Sequence, residues 1–335
     1  MKSEYEIVTY ENVGDVYTEQ VGARFNNAIL TAVYLRADSD SHDTPVTKKT
    51  VYAFRGRLDK TAGHIFLLSL PVEGKSAVYI VPVPDIITPS ICIDKGELRI
   101  ECGGYPVIKG ECKTGEEAAL CRAWYRTLYR PKKLVAMSNT WGDRGGADVV
   151  YEEFLLREID CAAYMGIDVM QVDAGWSTLK GAGTDEEGLR VFEGDCWAVQ
   201  EQKFPHGIAS ITPYATEKGV ETGLWFSPHC NGNYKYFDRD IAILKRAHDE
   251  WGFHCFKLDA LQLNTVEKCR GTEEFVKAIL AFGEDATVEL DVTANQRLGY
   301  LNLAPYGKLF VENRYTAYHL VMQLQMLLQH RTKSG

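Results

Sequence analysis

No stretch of this 335-residue chain comes near the 18 or so consecutive apolar residues that a membrane-spanning helix needs, so no membrane is expected as a partner. Basic clusters are missing too. The 37 Lys and Arg are outnumbered by 46 Asp and Glu, the formal charge is −9, and no row of cations stands ready to neutralise phosphates. Nucleic acid is therefore not expected either. The nine cysteines (Cys92, Cys102, Cys112, Cys121, Cys161, Cys196, Cys230, Cys255, Cys269) include no C-x-x-C pair, and their odd total reads as reduced, mostly buried thiols. There is no G-x-G-x-x-G and no P-loop, and His229, His248 and His254 do not fall at ligand spacings such as H-E-x-x-H. Neither a cofactor nor a metal is expected. The amino terminus, MKSEYEIVTYENVGD, turns acidic within four residues and has no apolar run, which predicts a cytoplasmic protein without a secretory leader.

What remains is ordinary globular composition, 45% hydrophobic and 25% charged, which rules out a mainly disordered chain. Tyr (18) and Trp (6) exceed what a core needs, and these side chains also line sugar and small-molecule sites.

Residues 1 to about 112 alternate short β-like runs (27–36, 50–57, 63–70, 76–83, 96–102) with turn clusters, the pattern of an all-β sandwich. Residues 114–130, TGEEAALCRAWYRTLYR, read as a helix with Thr114 as N-cap, stopped by Pro131. The expected division is a β-sandwich-like domain over 1–130 ending in this linker helix, followed by a (β/α) domain over 131–335.

From 131 onward, strands alternate with helices. Six βα units are expected, with strands at 134–142, 167–176, 221–228, 254–261, 287–294 and 308–315 and helices at 148–165, 208–219, 237–251, 272–283 and 316–330. The fifth strand leads into a short irregular connection instead of a helix. The strands are apolar at the start and polar or aromatic at the carboxyl end, as in a (β/α)8 TIM-type barrel with its working groups on the top face. Six units are two short of eight, so the chain is either a smaller open α/β sheet or, the reading favoured here, a barrel truncated after its sixth unit. An open barrel leaves edge strands that the β domain or a partner must cover, so a homo-oligomer is allowed for.

The fourth of these strands, His254 to Leu261, carries Lys257 and Asp259 in an otherwise apolar run. Two charges in a buried strand need a reason, since each would cost several kcal/mol of desolvation if unpaired. Either they form a structural pair or they do chemistry. The other strand ends offer Trp141 and Asp143, Asp173 and Trp176, Trp225 and His229, Asp291 with Arg297, and Glu312 with Arg314. Carboxylates, cations and Trp rings converging on one mouth suit sugar chemistry, in which carboxylates serve as nucleophile and acid and Trp covers a pyranose face. The expected partner is an oligosaccharide or glycoside. The polar loop 177–206 reads as a rim over the site, with Trp197 a candidate subsite residue.

FKLDAL, preceded by VDAGW and by KFPHGIASITPYATEKGVETGLWFSP, resembles the retaining α-galactosidase (melibiase) family and its clan relatives over roughly 131–320. The resemblance implies a β-sandwich followed by a (β/α)8 barrel, with hydrolysis of terminal α-galactosides through a covalent glycosyl-enzyme. It implies Asp259 as nucleophile, Asp173 and Lys257 as hydrogen-bond partners of sugar hydroxyls, Trp176, Trp225 and Trp141 as walls, and Arg297 as a further substrate contact. His229 stands at the end of the third strand, where the family has an E-P-E-like run and this chain reads Ser227-Pro228-His229. Ala174 replaces a second Asp of the strand-two motif. At the sixth strand the family's acid/base is an Asp, and here Glu312, in Val311 to Thr316, is the only carboxylate. The expected catalytic pair is thus Asp259 and Glu312, about 5–5.5 Å apart as retention requires. Lys257, two residues from Asp259 on the same strand face, is expected to lower that carboxyl's pKa. Two other readings stand beside this one: a carbohydrate-binding or inactive relative, and an aldolase-type barrel with Lys257 as Schiff-base lysine. Asp259 argues against the latter, because an ion pair raises a lysine pKa.

Overall fold

The computed structural model describes residues 5–37, 45–84, 86–128, 135–141, 146–186, 190–291, 301–302 and 305–310. The chain divides into two compact units, Met1–Lys132 with Arg297–Pro305 and Lys133–Gln296 with Tyr306–Gly335.

The first unit contains β1 (Ile7–Tyr10), β2 (Val16–Gln20), β3 (Asn27–Ala37), β4 (Pro45–Arg55), β5 (Leu58–Ala62), β6 (Ile65–Leu70), β7 (Lys75–Ile80), β8 (Ser90–Asp94), β9 (Glu97–Glu101) and β10 (Val107–Lys113). They form a six-stranded sheet, β1-β10-β7-β6-β3-β4, and a four-stranded sheet, β2-β9-β8-β5. All pairings are antiparallel. One core lies between the sheets: Leu30, Phe66, Leu68 and Tyr79 from the larger meet Leu58, Ile91, Leu98 and Ile100 from the smaller. In β6 the alternation of side chains is enough to explain burial, since Phe66, Leu68 and Leu70 point inward and their neighbours do not. β7 is buried on both faces, because α1 (Glu117–Leu128) lays Leu120 and Trp124 on Val78, Ile80, Ile108 and Cys112.

Thr114 is not the cap of this helix, contrary to expectation. The helix begins at Glu117, whose carboxylate reaches back to accept from Gly115 N at 2.9 Å and from Ser76 Oγ at 2.6 Å. An ionised carboxylate at the first turn serves both the free N–H groups and the helix dipole.

The second unit runs β11 (Met137–Asn139), α2 (Glu152–Met165), β12 (Val169–Val172), the hairpin β13 (Ala182–Thr184) and β14 (Arg190–Phe192), α3 (Ile211–Glu217), β15 (Glu221–Phe226), a single turn α4 (Asn231–Tyr234), α5 (Phe237–Asp249), β16 (Cys255–Leu258), α6 (Val266–Leu280), β17 (Thr287–Asp291) and β18 (Lys308–Phe310). Six strands pair in parallel in the order β11-β12-β15-β16-β17-β18. A doubly wound sheet reverses its strand order at a switch point, and this one never does. Sequential parallel order is the connectivity of a (β/α) barrel as far as its sixth strand. Among the described residues the strands form a sheet and not a closed barrel, and the helix expected at 316–330 lies outside them. The helix expected at 272–283 begins earlier, at Val266, because Thr265 caps it by accepting from Lys268 N at 3.2 Å. Among the described residues no helix is long and apolar enough to cross a membrane.

Candidate active site

Side chains two apart on a strand share a face, and the register of this sheet turns that rule into layers. Asn139 lies beside Gln171, and Gln171 beside Gly223; one layer higher, Trp225 lies beside Lys257 and Lys257 beside Glu289. Polar residues at these positions meet one another. Asn139 Nδ2 donates to Gln171 Oε1 at 2.6 Å and to Asp173 Oδ2 at 2.9 Å, and Gln171 Nε2 donates to Glu289 Oε2 at 2.8 Å. Gly223 makes room for that crossing, since a Cβ there would stand 3.2 Å from the Gln171 side chain.

Above this ladder the ammonium of Lys257, 3% exposed, sits 2.8 Å from Asp173 Oδ2 and 3.2 Å from Asp291 Oδ2. Asp173 also accepts from Ala174 N at 2.8 Å, and its own N–H donates to Thr140 Oγ1 at 2.9 Å. Burial works against the charge on Lys257, but Asp173 and Asp291 outweigh it and raise its pKa. The amine stays protonated, which removes the Schiff-base reading.

Asp259 follows directly on β16. Its N–H donates to Phe226 O at 3.0 Å, and its carbonyl accepts from Ser227 Oγ at 3.0 Å. The half-buried carboxylate accepts from Trp225 Nε1 at 2.9 Å through Oδ2 and from Ala260 N at 2.5 Å through Oδ1. Ala260 has φ +51°, a left-handed conformation that costs a non-glycine residue on the order of 1 kcal/mol or more. Strain of this kind persists where the surrounding structure holds it, and here it aims an amide at the carboxylate.

Lys257 does act to lower the Asp259 pKa, as expected, but the net shift is upward. Burial, and then the charge of Asp291, push it up; the Trp225 hydrogen bond, Lys257 and the Ala260 N–H pull it down and do not prevail. Lys257 is drawn to Asp173 and Asp291, so Asp259 feels the negative charge of Asp291 beside that of the cation. It follows that any activity needing the Asp259 anion should show an acid limb above the ordinary aspartate range, and that Asp291→Asn should move this limb to lower pH by removing a like charge. A pH profile of kcat/KM for parent and variant measures this, and an unmoved limb would refute the coupling.

The other expected site residues divide. Trp225 is buried at 3% exposure and orients Asp259 through its indole N–H, a positioning role beyond that of a wall. Trp176 is fully buried, its Nε1 donates to Trp225 O at 2.9 Å, and its ring stacks on Trp197 at 5.8 Å. It supports Trp225 from within the core and has no face open to a ligand. Trp197 is likewise buried, stacked on Phe192 and Phe226, so the expected subsite residue is a core residue of the rim. Gly175, between Asp173 and Trp176, has φ +118°, and a Cβ there would fall 2.4 Å from Ala147 O; the VDAGW glycine lets the chain turn against that backbone. Trp141 is half-buried, its N–H donating to Asn139 Oδ1 at 2.7 Å.

His229 does not present itself as a substrate contact by its Nδ1, which accepts from Phe192 N at 3.1 Å and so ties β14 to the end of β15. Burial, helped by Arg239, lowers its pKa and keeps the ring neutral, as an acceptor must be. It borders a cavity of about 540 Å³ with Asp185, Glu193, Asn231, Lys235 and Lys268. Glu312 and Arg297 lie outside the described residues. Asp291, Asn139, Gln171 and Glu289 complete the site without having been assigned roles from sequence. Period-two spacing within each strand (Gln171/Asp173, Lys257/Asp259, Glu289/Asp291) was the available signal.

Comparison with known proteins agrees with this geometry. The family model for Melibiase matches residues 119–265, which take in Asp173, Trp225, Lys257 and Asp259. An α-galactosidase of Escherichia coli is 29% identical over 99 residues, 30% of this chain and 12% of its own length. The α-galactosidase Mel36A of Lactobacillus acidophilus is 32% identical over 77 residues, 23% of this chain and 10% of its own. The solved α-galactosidase of Lactobacillus brevis superposes with TM-score 0.61 at 11% identity, covering 96% of this chain and 55% of that one. The enzyme AgaA of Geobacillus stearothermophilus gives 0.61 at 12%, covering 96% and 56%. At such identity the superpositions show a shared fold, and the chain spans little more than half of those structures. Sequence motifs, strand order and the matched segment converge on one similarity: over residues 119–265 this chain resembles the melibiase family of α-galactosidases.

Proposed function

We propose that the chain carries the nucleophile half of a retaining α-glycosidase acting on terminal α-galactosides. The observation that carries the reading is Asp259: a carboxylate at a parallel strand end, held by two N–H donors beside a buried Lys257 that two other aspartates keep charged. Asp259 attacks the anomeric carbon, and the leaving oxygen takes its proton from Glu312, which the sequence alone suggests for this part. Glu312 then accepts a proton from water as that water attacks the anomeric carbon and releases Asp259. Asp173 and Lys257 lie at the floor, where sugar hydroxyls would exchange hydrogen bonds with them, and Trp141 and Arg297 complete the substrate contacts. The substrate would be an oligosaccharide: relatives of this fold were solved with stachyose, in Thermus thermophilus, and with raffinose, in Geobacillus stearothermophilus. Eight strands in a closed barrel, and a cytoplasmic, homo-oligomeric protein, belong to the same proposal.

The test is a panel of aryl α- and β-glycosides with the anomer of the first product followed by NMR. Aryl α-galactoside should be hydrolysed first and should release the α-anomer. Release of the β-anomer would rule out double displacement through Asp259. Galactose binding with no turnover of any panel member would favour the carbohydrate-binding alternative.

A further inference from the structure

At the opposite, amino-terminal end of the same strands, two helix-to-strand connections bring together His248, in the last turn of α5, His254, just before β16, and Asp285, just before β17. A nitrogen of each imidazole and a carboxylate oxygen of Asp285 all lie within 4.8 Å of one another. His248 Nε2 stands 3.3 Å from Asp285 Oδ1, and His254 Nδ1 stands 3.0 Å from Asp285 Oδ2. The other nitrogen of His248, Nδ1, lies 2.8 Å from Asp249 Oδ1.

That last contact is the informative one. A ring nitrogen bonded to a carboxylate carries its proton there, so in the neutral ring of His248 the Nε2 is a bare lone pair. It then faces Asp285, which also has only lone pairs to offer. Two acceptors at this distance need a cation between them, either a second proton on His248 or a metal ion. A carboxylate on the far nitrogen is also what fixes and strengthens a metal-binding imidazole. The position favours a cation further, because the carbonyl end of a helix is its negative end. Asp285 and His254 have side chains 57% and 48% exposed, so an ion can enter and keep a water ligand.

We propose that His248, His254 and Asp285 form a binding site for a divalent transition ion of the zinc type, with Asp249 orienting His248. Two imidazoles and one carboxylate suit zinc, and water would fill the fourth place. The ion would clip the end of α5 to the starts of β16 and β17, far along the strands from Asp259. The sequence expectation of no metal rests on spacing within single helices and does not reach a set assembled from two separate helix-to-strand connections.

Chelator-treated full chain is titrated with zinc chloride by calorimetry at pH 7.5, with thermal unfolding in parallel. One zinc per chain and a raised Tm are expected. His254→Ala and Asp285→Asn should each weaken that binding at least about tenfold, and Asp249→Asn should weaken it by a similar factor without removing a ligand. Circular dichroism verifies that each variant is folded, and His254→Gln replaces any that is not. No saturable zinc binding, or binding unchanged in both ligand variants, overturns the site. A Tm that does not respond to zinc likewise overturns the site and leaves the cluster as a set of hydrogen bonds between the two imidazoles and Asp285.

Discussion

Asp259→Ala is expected to reduce hydrolysis of an aryl α-galactoside on the order of 10⁴-fold or more while changing stability by no more than about 1 kcal/mol. The two halves of this result come from the same geometry. The carboxylate is held by Trp225 Nε1 and Ala260 N, so its removal leaves two N–H groups that water can reach at a half-buried position. Against that small loss stands a gain, because the folded state raises the Asp259 pKa through burial and Asp291. A carboxyl with a raised folded pKa contributes most to stability in acid and loses that contribution as pH rises through its folded value. At neutral pH its charge is a burden on the fold, so the variant should gain on the parent as pH increases through that window. Urea unfolding at several pH values beside the kinetics measures both. A variant that keeps most of its activity ends the nucleophile assignment, and one that unfolds readily makes Asp259 a structural residue.

Lys257→Met should behave in the opposite way, losing about 3–5 kcal/mol of stability whatever it does to activity. The substitution is close in volume and keeps the apolar stem, so packing changes little. What it removes is the cation between Asp173 and Asp291, whose side chains are 4% and 3% exposed. Two carboxylates would remain desolvated and adjacent, with one forced to take up a proton. Thermal unfolding should show a Tm lower by roughly 10 °C, and adding Asp291→Asn to Lys257→Met should recover part of the loss. Equal stability of Lys257→Met and parent would mean that water reaches the pair and that the clamp is not dry.

The strands of the second unit were legible because parallel strands buried on both faces leave apolar runs, and all six appear at their expected places. Asp259 was legible for a related reason: a charge in such a run is an anomaly that demands a partner. The first unit was read less completely. β1, β2, β5 and β8 are only four or five residues long and look like the turns around them, and Gly110 and the charges of β10 interrupt its apolar pattern. Thr114 looked like a cap only because sequence cannot show Glu117 folding back on Gly115 and Ser76.

The roles of the tryptophans depended on depth, which no pattern in the chain reveals. Trp176, Trp197 and Trp225 have the same composition signature, but two are core and one holds a carboxylate. The same holds for electrostatics. Period-two spacing places Lys257 and Asp259 on one face, and from that alone an ion pair between them is the natural inference. Only the sheet register brings Asp173 and Asp291 within reach of Lys257, and at Asp259 burial, followed by the charge of Asp291, outweighs the pull of Lys257 on the pKa.

By itself, then, the sequence determined the alternation of elements, the strand that delivers a carboxylate, and the family to which its motifs point, because periodicity and local spacing are properties of the chain. The tertiary structure decided which charges neutralise one another, which aromatic rings are buried in the core, and which carboxylate meets the two histidines. Those depend on distances between strands that are far apart in sequence, and pairing of this kind is set by packing.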